Sequence, residues 1–406
     1  MDSQLIPFAS RGSAGRSARK IGVAHGIVLV SVTWLAVVAA GVLAPVLPRM
    51  TDHFAGTPML GLMIGFVATI PALAVALFSI PIGGVSDRTG ARRILVIGMS
   101  GYGLAGMLPL WLDSLPAIVA SRFIVGIFEA AVMTGSTTLI SLYFSGIQRD
   151  RWLAVQVAST NVMGVVVVLG GGLAGEHGWR APFFAYAVAL VLLVPVLLIT
   201  HEPDRVAKDE AAPAAMSDAR SWWLPVAIRC ALTFFVSVTV YTLIVQLGFL
   251  FAERGVISPS TIGLGIAFGA GGLALGAIAN TAIVSLPPHH RLLVSYALMA
   301  AGIGVLAINP GFGAMCAGAL AAGLGAGCAV STLLCTTVAV VPDALKGRAT
   351  GAWTAALFFG QFLNPPIFLI LVHMGGSYTN AFLIYAGICF AVATGAVLHI
   401  GRGRSR

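Results

Sequence analysis

One carboxylate in this chain stands where water does not reach. Glu129 is the only one of the fourteen Asp and Glu residues that falls deep inside an apolar stretch of membrane-spanning length, roughly Pro116 to Phe144, and the same stretch carries Arg122. A charge at the middle of a bilayer costs about 2.5–3.5 kcal/mol on insertion scales, so such residues mark solute or proton pathways. Seven residues separate the two, close to two helical turns, which puts both on one helix face about 10 Å apart along the axis. A carboxylate and a guanidinium on one wall can hold a charged solute or relay a proton. Burial favours the protonated form of Glu129 while a nearby Arg122 favours the ionised form, and that opposition suits a group that gains and loses a proton within a cycle. The competing reading is a structural glutamate hydrogen-bonded to a neighbouring helix.

Other polar residues embedded in apolar runs are Trp34, Asn161, Tyr241, Gln246, Gln361 and Asn364. They are candidates for a solute cavity, and each is equally able to join two helices by a hydrogen bond. Arg229 lies about two turns into another apolar run; it either reaches back to the headgroups or faces the cavity. No catalytic constellation emerges. The eight histidines are dispersed, and the five cysteines (Cys230, Cys316, Cys328, Cys335, Cys389) lack metal-ligand spacing. The thiols read as small apolar side chains, and no metal or other cofactor is expected.

These residues need a membrane around them. Of 406 residues, 58% are hydrophobic and 9% charged, with a mean hydropathy of +0.97. A soluble domain carries about 25% charged residues, so lipid must cover most of this surface. The net charge of +9 is spread between apolar runs without a basic stripe, which argues against nucleic-acid binding. The first apolar run is too long for the core of a secretion signal, so no cleaved leader is expected.

Apolar stretches of spanning length predict an all-α integral membrane protein with twelve transmembrane helices, at roughly 22–46, 59–82, 93–112, 116–143, 153–174, 182–200, 223–250, 261–286, 291–308, 311–341, 349–373 and 378–400. The narrowest separations are at Asp113–Ser114 and Asn309–Pro310. With the N-terminus in the cytoplasm, eighteen Lys and Arg residues fall on that side and three (Arg49, Arg180, Arg254) on the other. That asymmetry places both termini inside. The chain divides into a cytoplasmic tail (1–21), a six-helix bundle (22–200), a cytoplasmic linker (201–222), a second six-helix bundle (223–400) and a short cytoplasmic tail (401–406). Repetition supports two like-oriented halves. Gly83 precedes Asp87 by four residues as Gly276 precedes Asn280, and Arg151 precedes Tyr186 by 35 as Arg348 precedes Tyr385 by 37. Glycine pairs four apart, such as Gly61/Gly65, Gly265/Gly269 and Gly323/Gly327, mark close helix crossings.

Between the second and third spans runs Gly83-Gly84-Val85-Ser86-Asp87-Arg88-Thr89-Gly90-Ala91-Arg92-Arg93. This segment resembles the loop signature of the major facilitator superfamily, written G-x-L-A-D-R-x-G-R-[RK]. It agrees at Gly83, Asp87, Arg88, Gly90 and Arg92 and departs at Val85, Ser86 and Ala91. The resemblance covers the whole chain: twelve spans, a central linker, Arg122 and Gly126 in the fourth span, and Gly178-Trp179-Arg180 before the sixth. It implies that fold, with two pseudo-symmetric six-helix bundles, and a cytoplasmic latch in which Asp87 meets the start of the eleventh helix near Gly347–Gly351, with Arg88 and Arg92 in its charge network. The drug:proton antiporter branch usually carries G-x-x-x-G-P-x-x-G-G in the fifth span. Here Gly171-Gly172 match its end and Val167-Val168 replace the Gly-Pro, and the first span holds no acid.

The expectation is a secondary transporter that moves a small organic solute by alternating access, powered by the proton gradient with Glu129 and Arg122 in the coupling or substrate site, working as a monomer in a bacterial inner membrane. Proton-coupled efflux is the first reading. A proton-linked uptake symporter or a facilitator is the alternative, and a polytopic enzyme or a sensor is remote. No nucleotide-binding loop is present in the sequence to supply energy directly.

Overall fold

A computed structural model describes residues 21–202, 223–308, 310–342 and 345–403, with side-chain surroundings as far as Thr394. Asn309, most of the expected linker and most of both expected tails lie outside the described residues, and the last helix runs three residues into the expected C-terminal tail. All secondary structure among the described residues is helical. Eleven helical units are long and apolar enough to cross a membrane: α1 (Val23–His53), α2 (Leu60–Thr89), α3 (Ala91–Leu110), α4 (Leu115–Tyr143), α5 (Gly146–Gly175), α6 (Ala181–Ile199), α7 (Trp223–Glu253), α8 (Pro259–Ala282), α9 (Pro288–Ile308), α10 (Phe312–Ala339) and α11 (Lys346–Gly375). A twelfth, α12 (Tyr378–Gly403), is apolar through Thr394. Both narrow separations hold. The chain leaves α3 and enters α4 within the turn before Leu115, and α9 and α10 are separate helices. Apolar side chains such as Ile80, Leu198 and Phe390 point outward and form a belt that lipid must cover. The protein is a multi-pass membrane protein.

Several spans run longer than their apolar cores. α2 continues through the predicted loop to Thr89 and α5 begins at Gly146, because the charged residues there still hydrogen-bond along their own helix. The chain reverses only at Gly90, whose φ of +107° is open to glycine at little cost. Asp87 and Arg88 therefore sit on the last turn of α2, and Arg92 on the first turn of α3. The Arg92 guanidinium donates to the Thr200 and Leu197 carbonyls at 2.9 and 3.0 Å. The Glu202 carboxylate in turn accepts from the backbone N–H groups of Ala91 and Arg92 at 2.9 and 3.0 Å, a favourable place for an anion at a helix N-terminus. Together they fasten the end of α6 to the start of α3.

The helices pack in two matching sets. α4 lies between α2 and α3 in the first, and α10 lies between α8 and α9 in the second. The sets meet along two seams, α5 against α8 and α2 against α11, which are images of each other under the half-to-half repeat. Glycine lets backbones touch: a Cβ on Gly323 or Gly327 of α10 would collide with the carbonyls of Gly269 or Leu273 on α8. Two helices are interrupted. α1 breaks at Trp34 and again at a 3-10 turn over Ala44–Val46, and α7 carries a π-helical turn over Thr242–Gln246, a feature that recurs at functional positions.

The end at which α1 begins and α12 finishes is here called the tail end. At the opposite end both seams are closed. A Cβ on Gly172 would lie 2.7 Å from the Pro259 carbonyl oxygen, and the Phe66 and Phe362 rings stack 5.2 Å apart across α2 and α11. At the tail end, a Cβ on Gly83, Gly84, Gly347 or Gly351 would meet nothing within 4 Å.

Candidate functional site

A cavity of about 220 Å³ lies between the two halves, lined from α1, α2, α4, α5, α7, α8 and α11. Among the described residues Glu129 is its one charged lining residue, and Thr160, Asn161, Tyr241 and Gln361 bring further polar groups. The rest of the wall is apolar, with Met133 and Phe358 the largest non-polar contributions from α4 and α11. Glu129 is 5% exposed, and its Oε2 has no hydrogen-bond partner. A buried carboxylate oxygen without a donor is costly to hold, so the arrangement is suited to receiving a proton or the cationic group of a guest.

Four of the predicted residues thus share one cavity: Glu129, Asn161, Tyr241 and Gln361. The others do not reach it. Arg122 lies on the same face of α4 but is fully buried, with its guanidinium carbon 4.4 Å from the Tyr186 ring centre and 5.7 Å from that of Phe183. Its Nη1 lies 3.4 Å from the Gly106 carbonyl, and its Nε and Nη2 have no partner. Among the described residues it forms no ion pair with Glu129. The helix face is common to both, but α6 covers it at the level of Arg122, whereas the cavity opens at the level of Glu129.

Gln246 and Asn364 bond to each other. The Gln246 amide donates to Asn364 Oδ1 at 2.8 Å. The Asn364 amide donates to the Val238 carbonyl and to Thr242 Oγ1, both at 2.9 Å. This clasp ties the π-helical turn of α7 to α11, just before Pro365 and Pro366. Trp34 donates from its indole nitrogen to Ser159 Oγ at 3.1 Å and lines a separate apolar recess between α1, α5 and α6. Arg229 donates to the Pro225 carbonyl of its own helix at 2.8 Å. Asp87 and Arg88 are exposed at the tail end of α2.

Two residues behind the cavity were not among the candidates. Tyr102 donates to the Leu35 carbonyl at 2.7 Å and Tyr186 to the Ala39 carbonyl at 3.0 Å. Their rings lie 5.2 Å apart, on the Arg122 side. They hold the short α1 segment Leu35–Gly41, whose other side supplies Ala36, Val37 and Ala40 to the cavity wall. The signal available in the sequence was a tyrosine within each of two apolar spans. A buried phenol seeks a partner for its hydroxyl.

Comparison with known proteins agrees with this architecture. The family model described as Major Facilitator Superfamily matches residues 29–312. The multidrug efflux pump LfrA of Mycolicibacterium smegmatis is 28% identical over 160 residues, 39% of this chain and 31% of that protein. The quinolone resistance protein NorB of Staphylococcus aureus is 29% identical over 189 residues, 45% of this chain and 38% of that protein. The chain thus spans about a third of the length of these relatives. Among solved structures, a bacterial homologue of the human lysosomal transporter Spinster, inward-facing and unoccupied, has a TM-score of 0.73 at 16% identity and covers 94% of this chain and 99% of that one. A D-xylose–proton symporter has a TM-score of 0.75 at 14% identity, covering 93% and 97%. At such identities the likeness concerns the fold.

Proposed function

The chain belongs to the major facilitator superfamily, and from that premise we propose that it is a secondary transporter, not an enzyme, that exports a small apolar organic cation in exchange for protons. The single observation that carries this reading is the cavity between the halves: among the described residues Glu129 is its only charged lining residue, and the remaining wall is mostly apolar. An aliphatic or aromatic body fits such a wall, and a protonated amine fits the carboxylate. One carboxylate that binds either a proton or a cation makes the two compete, which is the minimum requirement for exchange. The efflux and resistance functions in the names of LfrA and NorB support export over uptake. On this reading the tail end faces the cytoplasm, as the excess of basic residues there suggests. The halves rock about the cavity with the proton gradient as energy source, in a monomer in a bacterial inner membrane.

Everted membrane vesicles provide the test. With an acid interior they are expected to accumulate ethidium, to release it when a protonophore collapses the gradient, and to ignore xylose. Gradient-driven movement of a neutral sugar without movement of any cation would overturn the reading in favour of the uptake alternative.

The motif at the end of α2 also gives Asp87 a proposed role. It would hold the tail end closed through contact with the start of α11, where the helix N-terminus favours an anion. Asp87→Asn is expected to leave membrane expression intact and to slow transport about tenfold, the size of a lost interaction of 1–2 kcal/mol. Transport at the wild-type rate would reject the latch.

A further inference from the structure

Glu176 follows immediately after α5, at the end where the halves are closed. Its Oε1 accepts hydrogen bonds from Ser258 Oγ at 2.6 Å, from the Ser260 backbone N–H at 3.0 Å and from Ser260 Oγ at 2.7 Å. Its Oε2 lies 3.5 Å from Arg49 Nη2 at the end of α1, and Arg49 Nη1 donates to the Gly175 carbonyl at 2.7 Å. Ser258 and Ser260 flank the first residue of α8, so a carboxylate from the first half caps a helix of the second.

Two other carboxylates cap helices in a similar way, and both act within one half. Glu202 caps α3. Glu253 caps α12, accepting from the backbone N–H groups of Tyr378 and Thr379 at 2.6 and 3.1 Å. Such caps fasten a bundle to itself and are unaffected when the bundles tilt. The cap by Glu176 must break when the α5–α8 seam parts. The symmetry-related start of α2 has no counterpart: it follows Met59, at a φ of +55°, and carries no side-chain cap. That seam is closed by apolar contacts, among them the Phe66–Phe362 stack.

We propose that Glu176 is the polar latch of the end opposite the tails, holding the α5–α8 seam shut until the transport cycle opens it. The inference rests on the reading of the chain as an alternating-access transporter. The hydrogen bonds from Ser258 and Ser260, with Arg49 as the facing cation, pull the Glu176 carboxyl down to about 2. A carboxyl whose value is depressed in the closed state favours closure above its ordinary value and loses that effect only as pH falls toward 2. The latch therefore stays ionised through mildly acid conditions, and outside pH does not open it.

The test reads access to the cavity without any substrate. Ala40, which lines the cavity and is 6% exposed, is replaced by cysteine in the full chain with its five native cysteines removed. The rate of labelling by a membrane-impermeant maleimide is then measured from the side opposite the tails. Glu176→Ala is expected to raise that rate about three- to tenfold, the range for charge-assisted hydrogen bonds weakened by solvent screening. Should that variant fail to reach the membrane, the Ser258→Ala/Ser260→Ala pair removes the same donors from the other side and is expected to act alike. Glu253→Ala, which unfastens a cap inside one half, is expected to leave the rate unchanged. An unchanged rate with the Glu176 or serine variants, or an equal rise with Glu253→Ala, would overturn the latch. Labelling that follows the expected pattern in a chain that moves no cation would support the latch and count against the exporter reading alone.

Discussion

Glu129→Gln is expected to lower gradient-driven transport about 100-fold while passive exchange of bound solute continues. The substitution keeps the shape of the side chain and removes both its charge and its proton. Glu129 is the only charged residue lining the cavity among the described residues, so none of them can take over either task. A charge held at bilayer depth represents about 2.5–3.5 kcal/mol, and at 1.36 kcal/mol per decade that is about two decades of affinity for a cationic guest. Its Oε2 lacks a hydrogen-bond donor, so neutralisation does not break a bond and the fold should be at least as stable. Transport into vesicles with and without an imposed pH difference, together with the unfolding temperature in detergent, measures both parts. Gradient-driven transport of the variant at the wild-type rate would exclude Glu129 as the coupling site.

Gly172→Val is expected to stop transport by a different route, preventing closure at the end opposite the tails. Its added Cβ would lie 2.7 Å from the Pro259 carbonyl oxygen, 3.2 Å from Ser260 Cα and 3.3 Å from Gly263 Cα. All three are backbone atoms, which cannot swing aside as a side chain can. Relief comes from separating α5 from α8, and that costs little of either bundle because the contact lies between them. Overpacking of this kind costs about 1–3 kcal/mol, enough to move a two-state equilibrium about five- to 150-fold. Transport is expected to fall about tenfold or more, with an unfolding temperature close to that of the wild type. A large drop in unfolding temperature would show that the glycine serves the fold and not the cycle.

Similar polar residues met different fates. Gln361 and Asn364 are three residues apart on α11, and Asn161, Gln246 and Tyr241 are equally isolated in apolar runs. Gln361, Asn161 and Tyr241 line the cavity, whereas Gln246 and Asn364 are consumed by each other across 118 residues of chain. A π-helical turn inserts one extra residue and shifts the face on which everything beyond it projects. The turn at Thr242–Gln246 is therefore enough to carry Gln246 out of the cavity wall. Arg122 shows the same limit: its helix face is readable from spacing, but the aromatic cover from Phe183 and Tyr186 comes from another helix.

The family and the helical-bundle fold were legible in the amino-acid sequence because lipid imposes a one-dimensional rule. Every backbone polar group within the bilayer must be satisfied locally, so an apolar run of sufficient length must be a helix. The signature around Asp87 adds a short-range turn to that rule. Glu129 was found for the same reason, as a charge that the rule forbids without a purpose. Only the tertiary structure decided which polar groups share the cavity, that Arg122 stands behind it, that Glu176 reaches the second half, and at which end the halves meet. Those outcomes depend on the rotation of each helix about its axis and on contacts between segments far apart along the chain. Under the proposed transport cycle one sequence serves two conformations, so the closed end is a property of the packing in hand and not of the order of residues.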